Sequence, residues 1–187
     1  VFEENGAYQV RVHNERDDRR SRSALVQITG GSVIPLAVLS GYIGTVVVEN
    51  GRVVTVTYLP SRHTSKYFDY QYAASEIEKR RAFVAVAARN GSFRLEGGME
   101  ARVGAQYLRT LKAIDPTLGL YSAYAYAQAG DFEGIESVFE YMSFEPEPVL
   151  FDVAMLANKL DFQARNRRHS SAVTPFCPML TQGWAFV

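Results

Sequence analysis

The sequence has few of the features that point to a particular chemistry. Among 187 residues there is one cysteine, Cys177, so no internal disulfide can form, and no Cys-x-x-Cys or His-x-x-x-His spacing offers a local metal site. The glycine pairs at 30–31 and 97–98 have neither the Lys-Ser/Thr nor the three-glycine spacing of a phosphate-binding loop. No apolar run approaches the roughly 20 residues that span a bilayer. We therefore expect no metal, no cofactor and no membrane partner.

Neither sign of charge is in excess. Lys and Arg together number 20, Asp and Glu number 20, and the formal net charge is zero. This balance removes the overall electrostatic footprint of a dedicated nucleic-acid binder. The lone cysteine fits a reducing compartment, and we expect a cytoplasmic protein. Because the sequence opens with VFEENG rather than Met, we also expect it to be a fragment of a larger polypeptide.

What is present begins with alternating apolar and polar residues over the first 60 positions, a pattern typical of half-buried strands. The clearest stretch is TVVVENGRVVTVTYL, because Asn50-Gly51 suits the type I′ turn of a β-hairpin. The predicted register pairs Glu49 with Arg52, Val48 with Val53 and Val47 with Val54. We predict an antiparallel β region over 1–60, arranged as a sandwich or a partial barrel.

Helical spacing replaces this alternation over 66–162. A first helix is predicted from Lys66 to Ala88, with Asn90-Gly91 as its stop, and an apolar stripe that includes Val103 predicts a second. Asp115 and Asp131 are expected to cap two further helices. The later of these carries an inward stripe of Ile135, Val138, Phe139 and Met142.

The segment VLFDVAMLANKL, apolar almost all round, predicts one more buried helix. Residues 163–187 are predicted to form a linker and an apolar tail that packs back on the body. Strands and helices are segregated along the chain, so the predicted fold class is α+β, with a β region followed by a small helical array.

Residues 118–142 contain a helical hairpin with a small-aromatic first helix, LYSAYAYAQAG, and a second helix that ends in ESVFEYM. This hairpin resembles the helix-turn-helix units of tetratricopeptide and pentatricopeptide repeats. The resemblance covers about 25 residues and implies a repeat-like hairpin inside a compact domain. It names no family for the whole chain.

Tyrosines form two clusters, Tyr67, Tyr70 and Tyr72 at the start of the first predicted helix, and Tyr121, Tyr124 and Tyr126 in the repeat-like hairpin. Tyrosine offers contact area and one polar handle, so it suits an interface as well as the edge of a core. We select Tyr121 and Tyr124 as the candidate partner-binding residues, since they lie three apart on one helix and project to one side.

These observations favour a non-enzymatic protein-interaction or regulatory module, with no assigned catalytic residue. Its partner is expected to be another protein or the remainder of its own polypeptide. Two alternatives stay open. One is a hydrolase that uses Cys177 with His13, His63 or His169. The other, not favoured, is nucleic-acid binding through two arginine clusters: Arg16, Arg19, Arg20 and Arg22, and Arg165, Arg167 and Arg168.

Overall fold

The computed structural model describes residues 2–4, 7–9, 22–27, 33–49, 52–93, 100–144 and 149–160, and their layout is α+β, as predicted. The strands are β1 (Phe2–Glu4), β2 (Ala7–Gln9), β3 (Arg22–Gln27), β4 (Val33–Val38), β5 (Tyr42–Glu49) and β6 (Arg52–Pro60). The helices are α1 (Lys66–Asn90), α2 (Ala101–Arg109), α3 (Pro116–Ala129), α4 (Phe132–Ser143) and α5 (Phe151–Leu156).

The described strands form three separate antiparallel pairs, β1 with β2, β3 with β4 and β5 with β6, and they close no barrel. The register predicted around Asn50-Gly51 is confirmed for Glu49 with Arg52 and for Val48 with Val53. The next predicted pair is wrong, because Val47 lies opposite Thr55. A shift in register between Val47 and Val48 adds one residue to β6, which is the geometry of a β-bulge.

The predicted start of α1, its glycine stop and the starts of α3 and α4 are confirmed, although α1 continues two residues past the predicted Ala88, to Asn90. Gly91 and Gly130 end α1 and α3 in the left-handed conformation, with φ of 63° and 68°. The Asp115 carboxylate accepts a hydrogen bond from the Thr117 amide at the start of α3, and the Asp131 carboxylate accepts one from the Gly134 amide at the start of α4. These caps satisfy amide groups that have no partner within the helix.

The predicted apolar stripe of α2 is partly wrong. Val103 is exposed, and the residues that face the core are Ala101, Gly104, Ala105 and Leu108. Small side chains let α2 approach its neighbours closely, since a Cβ added at Gly104 would lie 3.0 Å from the Phe83 ring. α5 is also shorter than the predicted buried helix, and its buried residues are Asp152, Val153 and Ala154.

α3 is the central helix of the described fold. It contacts α2, α4 and α5, and it also contacts α1 and β6. Every residue from Pro116 to Tyr126 is buried, which places the centre of the hydrophobic core along this helix. The inward stripe predicted for α4 is confirmed, because Ile135, Val138, Phe139 and Met142 are all buried.

The β region joins this core at the base of its hairpins. Ala37 and Leu39 from β4 and its following turn are buried together with Val56 and Tyr58 from β6. The Tyr58 hydroxyl donates a 2.7 Å hydrogen bond to the Ala37 carbonyl, and the Tyr42 hydroxyl donates one of 3.3 Å to the Ala113 carbonyl. The predicted apolar tail at 163–187 lies outside the described residues.

Candidate functional site

The two tyrosines predicted to bind a partner do not form an exposed edge. Tyr121 is 5% exposed and Tyr124 is 1% exposed, so the expectation that they face outward is wrong. The physical reason is the position of α3, which has neighbours on all sides and leaves no outer face for its aromatic residues. The hydroxyl of Tyr124 is accommodated by a polar group on another helix, which offsets the cost of burying it.

Tyr124 is joined to a buried carboxyl group. Its hydroxyl donates a 2.9 Å hydrogen bond to Asp152 Oδ2, and Asp152 Oδ1 is buried without a hydrogen-bond partner among the described residues. Burial raises the pKa of Asp152 to about 6, although the hydrogen bond from Tyr124 acts in the opposite direction. The shift follows because a charged carboxylate loses its hydration in the core.

A carboxyl group with a raised pKa is a frequent feature of active sites, so Asp152 is a natural catalytic candidate. Its side chain, however, is inaccessible to solvent, and its one described side-chain partner is a tyrosine that is itself in the core. A general acid or base must reach a substrate within hydrogen-bonding distance. The pair therefore functions in packing, by linking α3 to α5.

A second polar cluster joins α1 to α2. The Tyr107 hydroxyl donates a 3.0 Å hydrogen bond to Glu76 Oε1, and this bond lowers the pKa of Glu76. Burial and then the contact with Glu76 raise the pKa of Tyr107. Arg80 completes the cluster: its Nε donates to the Tyr107 carbonyl at 2.8 Å, and its guanidinium lies 4.3 Å from the centre of the Tyr107 ring. This cluster of hydrogen bonds and ring contacts links α1 to α2.

The most exposed aromatic residues of the described helices include two on the first turns of α1. Phe68 is 64% exposed and Tyr72, one helical turn later, is 93% exposed. Tyr67 lies beside Phe68, with the two ring centres 6.4 Å apart, and Arg62 lies 6.0 Å from the centre of the Tyr67 ring. We call Tyr67, Phe68 and Tyr72 the aromatic surface. Aromatic side chains next to arginine are the composition enriched in protein interfaces.

The helix that carries the aromatic surface, α1, is hydrogen-bonded to other elements of the fold. Arg81 Nε donates a 2.8 Å hydrogen bond to Asp115 Oδ2, and Arg81 Nη2 donates one of 3.0 Å to the Tyr58 carbonyl. Near the start of the helix, Lys66 Nζ donates to the Tyr42 hydroxyl at 3.1 Å. Because α1 is fixed to α3 and to the β region, its exposed aromatic residues are preorganised, which lowers the entropic cost of binding.

The remaining sequence-predicted candidates are not brought together in the part of the chain that the structure describes. His63 is exposed in the turn before α1. Cys177, His13 and His169 lie outside the described residues, as do all the arginines of the two clusters except Arg22, of which only the backbone is described. Within the described ranges, no group of three or more His, Cys, Asp or Glu side chains is arranged to hold a metal ion, and no helix is long and apolar enough to cross a membrane.

Comparison with known proteins adds no assignment, since no family model, no curated protein and no solved structure matches this chain. The aromatic surface thus stands on its geometry alone. Sequence reasoning identified Tyr67, Tyr70 and Tyr72 as a cluster but selected the other one. The missed signal is charge, because α1 contains eight charged residues, as a helix with an exposed face does, whereas 116–129 contains none.

Proposed function

We propose that this chain is a non-enzymatic protein-interaction module whose contact site is the aromatic surface of α1. The single observation that carries the proposal is the exposure of Phe68 and Tyr72 one turn apart on a helix fixed to the fold. Leaving two large aromatic side chains in water forgoes the free energy that their burial would release. A partner that covers them recovers it.

The charge distribution around this surface fits a protein partner rather than a polyanion. Asp69, which follows Phe68 on α1, is exposed, and so are Glu78 and Lys79 further along the helix. Mixed charges around an aromatic centre are the usual anatomy of a protein interface, with a polar rim around a buried core. A nucleic-acid surface would carry a consistent excess of Lys and Arg.

The test is a photoreactive phenylalanine analogue placed at position 72, with position 132 as the matched control. Phe132 is 74% exposed at the start of α4, so the two positions are similar in accessibility and differ in their surroundings. Position 72 is expected to give a discrete crosslinked product, and position 132 is not.

The crosslinked protein is then purified and titrated against the unmodified chain and its variants. Phe68→Ala and Tyr72→Ala should each weaken binding by about tenfold, or about 1.4 kcal/mol, as expected of a residue that contributes to an interface, while Phe132→Ala leaves it unchanged. The proposal fails if position 72 gives no more product than position 132, with either this chain or any other protein as the partner. It also fails if neither α1 substitution weakens binding.

A further inference from the structure

Six exposed residues of α1, two of which belong to the aromatic surface, follow one another at alternating intervals of four and three. They are Phe68, Tyr72, Ser75, Lys79, Ala82 and Val86. A repeat of one four-residue and one three-residue interval has a period of 3.5 residues, at which two helices pack along a continuous seam. The stripe lies on the opposite side of α1 from Ile77 and Val84, which face the core. We call these six residues the seam.

The order of residues in the seam makes it complementary to itself when two copies run antiparallel. The two residue numbers of every facing pair then have the same midpoint, 77. A twofold axis therefore passes at the level of residue 77. Phe68 faces the second copy's Val86, and Tyr72 faces its Ala82, a large side chain against a small one. Ser75 faces its Lys79. Alternating large and small residues across facing positions is how helix layers interdigitate.

Charge distinguishes this arrangement from the parallel one. In a parallel pair each seam residue would face itself, so that Lys79 would lie against Lys79 in a partly desolvated layer. In the antiparallel pair Lys79 faces a serine. We infer that the partner of α1 is a second copy of this chain, packed antiparallel along the seam about a twofold axis near residue 77. This inference rests on the proposed function and names its partner.

The contact is expected to be weak. From Phe68 to Val86 the seam spans about 27 Å of helix, and its central layer is polar. A single pair of helices of this length falls below the roughly 800 Å² per partner of a standard stable interface. Glu78 of each copy also lies beside the axis, where the two carboxylates repel. We therefore expect a monomer–dimer equilibrium in the micromolar range, rather than a permanent dimer.

Sedimentation velocity of the whole chain, from about 1 µM to about 500 µM, measures this equilibrium. Position 75 provides a matched pair of variants, because both replacements are good helix formers at an exposed site. Ser75→Lys places two like-charge contacts against Lys79 of the other copy and should weaken association by roughly tenfold. Ser75→Glu places two opposite-charge contacts there and should strengthen it. Phe132→Ala should leave it unchanged.

A size exchange gives a second, independent readout. Ala82→Tyr alone places two tyrosines against each other where position 72 faces position 82 of the second copy, and this should abolish association. Adding Tyr72→Ala restores one large and one small residue to each such pair and should recover association. Melting curves confirm that each variant is folded. A wild-type chain that stays monomeric at every concentration overturns the inference, as does an equal effect of Ser75→Lys and Ser75→Glu. If crosslinking from position 72 then still yields another protein, the second copy is the wrong partner and the proposed function stands.

Discussion

Replacing Asp152 by asparagine should change how stability depends on pH, in a direction opposite to that of most carboxylates. The folded-state pKa of Asp152 is raised from 3.8 to about 6, so the folded chain retains a proton that the unfolded chain releases. Stability contributed by this group is therefore complete below about pH 4 and is lost as the pH rises through about 6. The full loss is about 3 kcal/mol, from a shift of about two pKa units.

The neighbouring helices offer the ionised form no compensating cation. α3 contains no charged residue, and the charged residues of α4 are the exposed Glu133, Glu136 and Glu140. Lys159, which follows α5, lies 3.2 Å from Glu136. The side-chain amide of the Asp152→Asn variant would still accept the hydrogen bond from Tyr124 but would not titrate. The difference in unfolding free energy between wild type and this variant should thus move by about 2 kcal/mol, in favour of the variant, between about pH 4.5 and about pH 7.5.

Urea unfolding followed by far-UV circular dichroism measures this difference at each pH, and the titration of other groups cancels between the two proteins. The Tyr124→Phe variant provides a second test. Removing the hydrogen bond from Tyr124 to the carboxylate should move the pH at which the stability contributed by Asp152 is lost to above about 6. A difference that stays flat with pH would refute the reasoning, and so would one that moves in favour of the wild type. Either result would mean that Asp152 ionises without cost in the folded chain.

Three further substitutions test the packing of the helices, each by its urea midpoint at neutral pH. Gly134→Ala should lower the free energy of unfolding by about 1–3 kcal/mol, although alanine has the better helix propensity, because the added Cβ would lie 2.5 Å from the Tyr126 ring. An unchanged urea midpoint would show that α3 and α4 are further apart than this distance implies. Asp115→Ala should cost about 2–4 kcal/mol by removing the α3 cap and leaving Arg81 without its carboxylate, and a loss below about 1 kcal/mol would contradict that role. Phe139→Ala should cost about 3–5 kcal/mol, since its side chain is 3% exposed, and melting like the parent would mean that it is not in the core.

Local signals predicted the boundaries of the fold well. The pairing of Glu49 with Arg52, the caps at Asp115 and Asp131 and the glycine stop after α1 all depend on residues within a few positions of one another. Such interactions are fixed by the backbone conformation of a short segment, and a short segment is what a sequence displays directly. The bulge beside Val47 was not predicted, because the local sequence gave no sign of a shift in register between Val47 and Val48.

Exposure was harder to predict than secondary structure. Whether a tyrosine faces solvent depends on which helices surround it, and Tyr124 meets Asp152 across 28 positions of sequence. No periodicity within α3 displays that contact. The absence of charge over 116–129 did carry the information, since a helix without charged residues is covered on all sides. The same criterion, applied to α1, would have directed attention to Phe68 and Tyr72.

Arg81 also determines where this chain can be divided. A cut between Pro60 and Lys66 looks harmless on the sequence, because it separates the strands from the helices. Yet the Arg81 guanidinium holds the Tyr58 carbonyl on one side of that cut and the Asp115 carboxylate on the other. A helical half expressed alone would keep the carboxylate pair and lose its anchor on β6, together with the Tyr42 contact to Ala113. We therefore expect the helical half expressed alone to be less stable than the whole chain, so any dissection of this protein should keep β6 with α1.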